Sequence, residues 1–131
     1  MNTEGFIAWD EAVKLWDHFD KRMQEAGYRI HVINGDRYIT DSTKALKDDK
    51  YVPIIRFLLF KVDRKSYSFS LEVTDRNGNS ILDGKTIGYF RFSEYTLEKL
   101  NEAIDFVLET FGCYNEDNTV PTKFEEIEKT F

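Results

Sequence analysis

The chain has 131 residues, a net charge of −6, 41% hydrophobic and 15% aromatic side chains, and one cysteine. That fits one domain of ordinary size, with rings that each remove roughly 150–250 Å² from water when buried, and it excludes an intramolecular disulfide. The longest apolar run, 54–60, is broken by Arg56 and falls short of the roughly 20 residues of a membrane span; with the lone Cys113 and no signal-like start, a cytoplasmic protein away from the membrane is expected.

Residues 1–8 read as a loose start. Trp9, Ala12, Val13, Trp16, Phe19, Met23 and Ala26 then recur on one helical stripe, with Leu15 off its centre and Asp10, Lys14, Asp17, His18 and Lys21 on the other side. Gly27 is placed to end this helix. Residues 28–33 read as a strand, Asn34-Gly35 as a type I′ turn, and 37–40 as the returning strand. The polar run 41–50 reads as a loop.

Residues 51–92 carry the sheet. The stretch 51–62 is rich in β-branched and aromatic side chains, with Pro53 confined to its start or an edge. After a tight connection at 63–65, Tyr67, Phe69, Leu71 and Val73 alternate with Ser68, Ser70, Glu72 and Thr74, the pattern of a strand with one buried and one wet face. A hairpin turn at 75–79 leads to strand segments 80–82 and 86–92. Ser93 is the expected N-cap of a helix over 94–111, whose apolar residues Leu97, Leu100, Ala103, Ile104, Val107, Leu108 and Phe111 form one stripe, with Gly112 closing it. Phe124, Ile127 and Phe131 are spaced for a short final helix that docks on the core or on a partner. The expected fold is a single α+β domain: N-terminal helix, antiparallel meander of four to five strands, second long helix packed on the sheet, and short C-terminal helix, with 1–8 and 113–123 as loop or linker. The helices are expected on one sheet face and water or a partner on the other.

Within the second helix, Glu94, Glu98, Glu102, Asp105 and Glu109 recur at steps of four, four, three and four, which places all five carboxylates on one helical face. No lysine or arginine interrupts the stripe. Like charges at this spacing weaken a helix, and Asp105 and Glu109 oppose the helix dipole near its C-terminal end at about 0.3–1 kcal/mol each. Residues 94–131 hold ten acidic and three basic side chains, and 1–93 hold fourteen and fifteen. The surplus negative charge is therefore C-terminal, which excludes the cationic footprint of direct nucleic-acid binding and favours a basic protein partner.

The function expected is thus a non-enzymatic acidic binding module. Its most concrete form is a small inhibitor or immunity-type antagonist of a basic nucleic-acid-handling protein, docked through Glu94, Glu98, Glu102, Asp105 and Glu109. A strict DNA mimic needs more charge: the stripe carries roughly one per 5 Å of axis against about one per 1.7 Å in duplex DNA, so Glu116, Asp117, Glu125, Glu126 and Glu128 would have to contribute. Two alternatives remain open. One is a small-molecule-binding domain or enzyme with a curled-sheet pocket lined by Tyr67, Phe69, Tyr89 and Phe92; the other is a homodimer formed through the outer sheet face or Phe124, Ile127 and Phe131.

Individual side chains add little chemistry. Cys113 follows a helix C-terminus between Glu109 and Glu116, which opposes thiolate formation. His18 reads as exposed, and neither His18 nor His31 belongs to a metal-ligand spacing, so no metal or cofactor is expected. Asp75-Arg76-Asn77-Gly78-Asn79-Ser80 fails as a calcium loop because its glycine comes two residues early. Glu72 would serve as a general base only in a cupped sheet, and Arg56, Lys61, Arg64 and Lys65 read as solubilising charges on an edge strand and turn.

Overall fold

A computed structural model describes residues 5–34, 41–47, 52–74, 88–111 and 130–131. The order is α1 (Trp9–Glu25), β1 (Arg29–Asn34), β2 (Asp41–Leu46), β3 (Ile54–Lys61), β4 (Tyr67–Thr74), β5 (Gly88–Phe90) and α2 (Leu97–Phe111). The five strands form one antiparallel sheet in the order β1-β2-β3-β4-β5. This is the expected α+β meander flanked by two helices, and no helix among the described residues is long and apolar enough to cross a membrane.

α1 buries Ala12, Leu15, Phe19 and Met23. The buried stripe is rotated from the expected one: Leu15 is in the core and Trp9 is 42% exposed, because α2 packs along the flank of α1 that carries Leu15 and His18. The helix stops as expected. Gly27 takes a φ of +91°, and the Gly27 and Tyr28 amides donate to the Gln24 and Met23 carbonyls at 3.0 and 2.9 Å, a Schellman closure. Residues 5–8 are less loose than their composition suggests. Ile7 is buried and exchanges backbone hydrogen bonds with Tyr67 at 3.0 and 2.7 Å.

Residues 41–46 form β2, not a loop, paired with β1 and β3 on its two sides. Its core-facing residues, Thr43 and Ala45, are small because α1 lies over them, and Trp16 Nε1 donates to Thr43 Oγ1. Pro53 directly precedes β3, where no ladder donor is needed. On the helix side, Phe57 packs between Phe19 and Phe69 at centroid distances of 5.3 and 5.5 Å, and Phe69 continues to Phe92 at 4.5 Å. Leu100, Ala103, Ile104 and Val107 of α2 join the same core.

The opposite sheet face is not wet. Ser42, Ser70 and Thr74 are buried there, and Ser68 and Glu72 are half-buried. Its hydroxyls can leave water because they are bonded: Ser70 Oγ donates to the Phe90 carbonyl, and Ser42 Oγ accepts from Arg56 at 3.0 and 3.2 Å.

α2 begins at Leu97, three residues later than expected, and Thr96 caps it: its Oγ1 accepts from the Lys99 amide at 3.2 Å. Ser93 is committed elsewhere. Its amide and hydroxyl both donate to the Phe131 carbonyl, at 2.6 and 2.8 Å. Thr130 bridges to Arg91, and the Phe131 amide donates to the Arg91 carbonyl at 2.9 Å; Phe131 is 7% exposed and in ring contact with Phe90, Phe92 and Phe106. It is a core residue of its own domain. Asn34 is not the first central residue of a two-residue turn: it is the last residue of β1, paired with Asp41. The final helix through Phe124 and Ile127, Gly35, the turn at 75–79, the strand segments 37–40 and 80–82, the linker 113–123, and the readings of Cys113, Glu116, Asp117, Glu125, Glu126 and Glu128 lie outside the described residues.

Candidate functional site

Leu100, Ala103, Ile104 and Val107 of the α2 stripe face the core with Leu108 packed against it, whereas Leu97 at its start is exposed instead of buried; the flank opposite the core points outward. Glu98, Glu102, Asp105 and Glu109 are all exposed on that flank. Glu94 is exposed too, but sits on the bend before the helix, so four carboxylates share the helical face and the fifth extends it. Two are compensated. Arg22 Nη2 of α1 donates to Asp105 Oδ1 at 2.7 Å, and Lys99 Nζ lies 3.5 Å from Glu102 Oε2, one turn away. Among the described residues, Glu94, Glu98 and Glu109 have no cation within ion-pairing distance. The last turn of α2 carries no basic residue to offset its dipole.

The Arg22 contact belongs to a polar layer between the helices. Asn101 Oδ1 accepts from His18 Nε2 at 2.6 Å and from Arg22 Nη1 at 3.0 Å. His18 is therefore half-buried and bonded, not the free surface residue its helical position suggests; the partner lies 83 residues away, beyond any local pattern. Beside this layer the acidic flank of α2 borders an open groove of about 450 Å³, walled by Lys99, Glu102, Asp105, Phe106, Glu109, Thr130 and Phe131. Three carboxylates against one lysine, which itself pairs with Glu102, leave acceptors beside aromatic carbon, a setting that suits an ammonium or guanidinium group.

A second charged group crosses the far sheet face. Lys44, Arg56 and Glu72 occupy one row across β2, β3 and β4. Arg56 gives Nε and Nη2 to Ser42, and its Nη1 stands 3.8 Å from Glu72 Oε1. Burial holds the Glu72 carboxyl above its ordinary range, against the pull of Arg56 and Lys44. Arg56 is thus not an edge charge: it sits on the central strand as counter-ion to Glu72, whereas Lys61, Arg64 and Lys65 are exposed.

Asp20 of α1 went unnoticed in the sequence. It is half-buried, its Oδ1 is shielded from solvent without a hydrogen-bond partner, and burial together with Asp17 raises its pKa to about 6. The available signal was an aspartate beside a core phenylalanine, three residues from another aspartate. As for the curled-sheet pocket, Phe69 and Phe92 fill their shared space with their own rings, and the Tyr89 side chain lies outside the described residues. The chain matches no protein-family model, no characterised protein and no solved structure.

Proposed function

We propose that this chain is a non-enzymatic binding module that holds a basic protein partner on the outward flank of α2. In its most concrete form it inhibits a nucleic-acid-handling protein by covering that protein's cationic surface. The observation that supports this most is the set of exposed carboxylates at Glu94, Glu98 and Glu109, uncompensated among the described residues, on a helix whose other face is anchored in the core. A helix packed in this way presents its carboxylates on one fixed face. Fixed charge steers encounter and selects partners more than it adds affinity.

The test uses oligolysine as a defined cationic probe. Binding should weaken steadily as salt rises and should be lost in the triple variant Glu98→Lys, Glu102→Lys, Glu109→Lys. Asp105 is left intact because it holds Arg22. Equal binding by the variant, or no binding by either protein, would remove this flank as the docking surface.

A further inference from the structure

Among the described residues, three of the five large apolar side chains that remain exposed are Phe6, Trp9 and Leu97, at 38%, 42% and 48%. They gather at the end of the molecule where both helices start. Phe6 stacks on Tyr95 at 5.7 Å, Trp9 tilts against Tyr67 at 5.2 Å, and Tyr95 meets Phe69 of the core edge-on at 5.3 Å. Beside them a cleft of about 370 Å³ opens between the first half of α1 and the entry to α2. Its apolar walls are Leu15, Tyr95 and Leu97, and Glu11, Lys14, His18 and Thr96 complete it. His18 Nε2 is already committed to Asn101.

Glu11 and Lys14 are the charged side chains of the lining itself. Next in the chain to lining residues, Asp10, Glu94 and Glu98 are exposed and tip the balance of this end of the molecule to negative. An apolar slot beside carboxylates complements one kind of polypeptide: an apolar side chain flanked by lysines or arginines. Exposed apolar clusters with a polar rim mark interaction sites, and a central apolar anchor with peripheral charges is how such sites divide affinity from selectivity.

We propose that this cleft receives an amphipathic basic segment of the partner protein. One leucine-like side chain seats against Leu15, Tyr95 and Leu97, and the neighbouring cations rest on Glu11, Glu94 and Glu98. The inference rests on the reading that α2 meets a cationic partner and adds what that reading lacks, a demand for an apolar anchor between the charges. Glu94 and Glu98 belong to both surfaces, so the partner would run from the cleft along the acidic flank.

The experiment titrates the labelled full chain with two probes of equal charge, oligolysine and a lysine–leucine peptide patterned as an amphipathic helix, and follows backbone amide shifts. The lysine–leucine peptide should bind about tenfold more tightly and shift Leu15, His18, Tyr95 and Leu97. The variant Leu97→Ser, at an exposed position, should abolish that advantage and leave oligolysine binding unchanged; Glu11→Lys should weaken both probes, the lysine–leucine peptide more. Equal affinity for the two probes with no effect of Leu97→Ser overturns the cleft and leaves the acidic flank standing. Shifts at the cleft without any oligolysine binding support the cleft and overturn the flank. Silence with both probes overturns both.

Discussion

Arg22 of α1 and Asp105 of α2, 83 residues apart in the chain, meet at 2.7 Å. The same guanidinium also bonds Asn101, which accepts from His18 as well. This layer fixes how α2 lies against α1, and so which way its carboxylates point. The ion pair itself is partly exposed, with Asp105 at 57%, so solvent screening limits its worth. Arg22→Ala should cost about 0.5–1 kcal/mol. Asn101→Ala should cost more, about 1–2 kcal/mol, because it leaves two half-buried donors without an acceptor. Urea unfolding of the two variants checks the order.

Asp20 should make stability depend on pH. Its folded pKa of about 6 stands above the ordinary 3.8, so the folded chain holds a proton that the unfolded chain releases. The stability this contributes is complete below the unfolded value and is lost as pH rises through the folded one. Asp20→Asn should therefore stabilise the protein by about 1 kcal/mol at neutral pH, after discounting for partial exposure, and change little near pH 4. Denaturation midpoints at the two pH values test the sign.

Phe131 should behave as a core residue, although the chain that leads to it is acidic and polar. Its ring touches Phe90, Phe92 and Phe106. Phe131→Ala should cost about 3 kcal/mol, read as a shift in the unfolding midpoint with an unchanged slope.

Across the far sheet face, Arg56 and Glu72 should respond unequally. Arg56→Ala leaves the half-buried Glu72 carboxylate without its nearest counter-ion and Ser42 without its two donors, at about 2 kcal/mol. Glu72→Gln removes a charge that burial already disfavours and should cost less than about 0.5 kcal/mol. Thermal unfolding of the pair decides.

Where one element's local pattern sufficed, the sequence was legible. The Gly27 stop and Pro53 before β3 stand in the structure, and Phe69, Leu71 and Val73 are buried as their spacing predicts, although their neighbours Ser70 and Thr74 are buried too. What escaped was set by contacts distant in the chain. β2 reads as a loop because Thr43 and Ala45 are small, and they are small because α1 packs on them. Ser93 reads as a helix cap, but the Phe131 carbonyl, 38 residues on, takes its hydroxyl. Arg56 reads as a surface charge and His18 as an exposed polar residue until their partners on other elements are known. The carboxylates of α2 were all legible by spacing; that Arg22 compensates Asp105, and that Glu94 precedes the helix, was not.

The central claim, that the outward flank of α2 holds a basic protein, is tested most directly by capture from the native host. The unaltered chain and the triple variant Glu98→Lys, Glu102→Lys, Glu109→Lys would be immobilised side by side at low salt and eluted with a salt gradient. The account predicts basic proteins retained by the unaltered chain, released as salt rises, and absent from the variant. The same proteins on both, or none that depends on those three carboxylates, would contradict it.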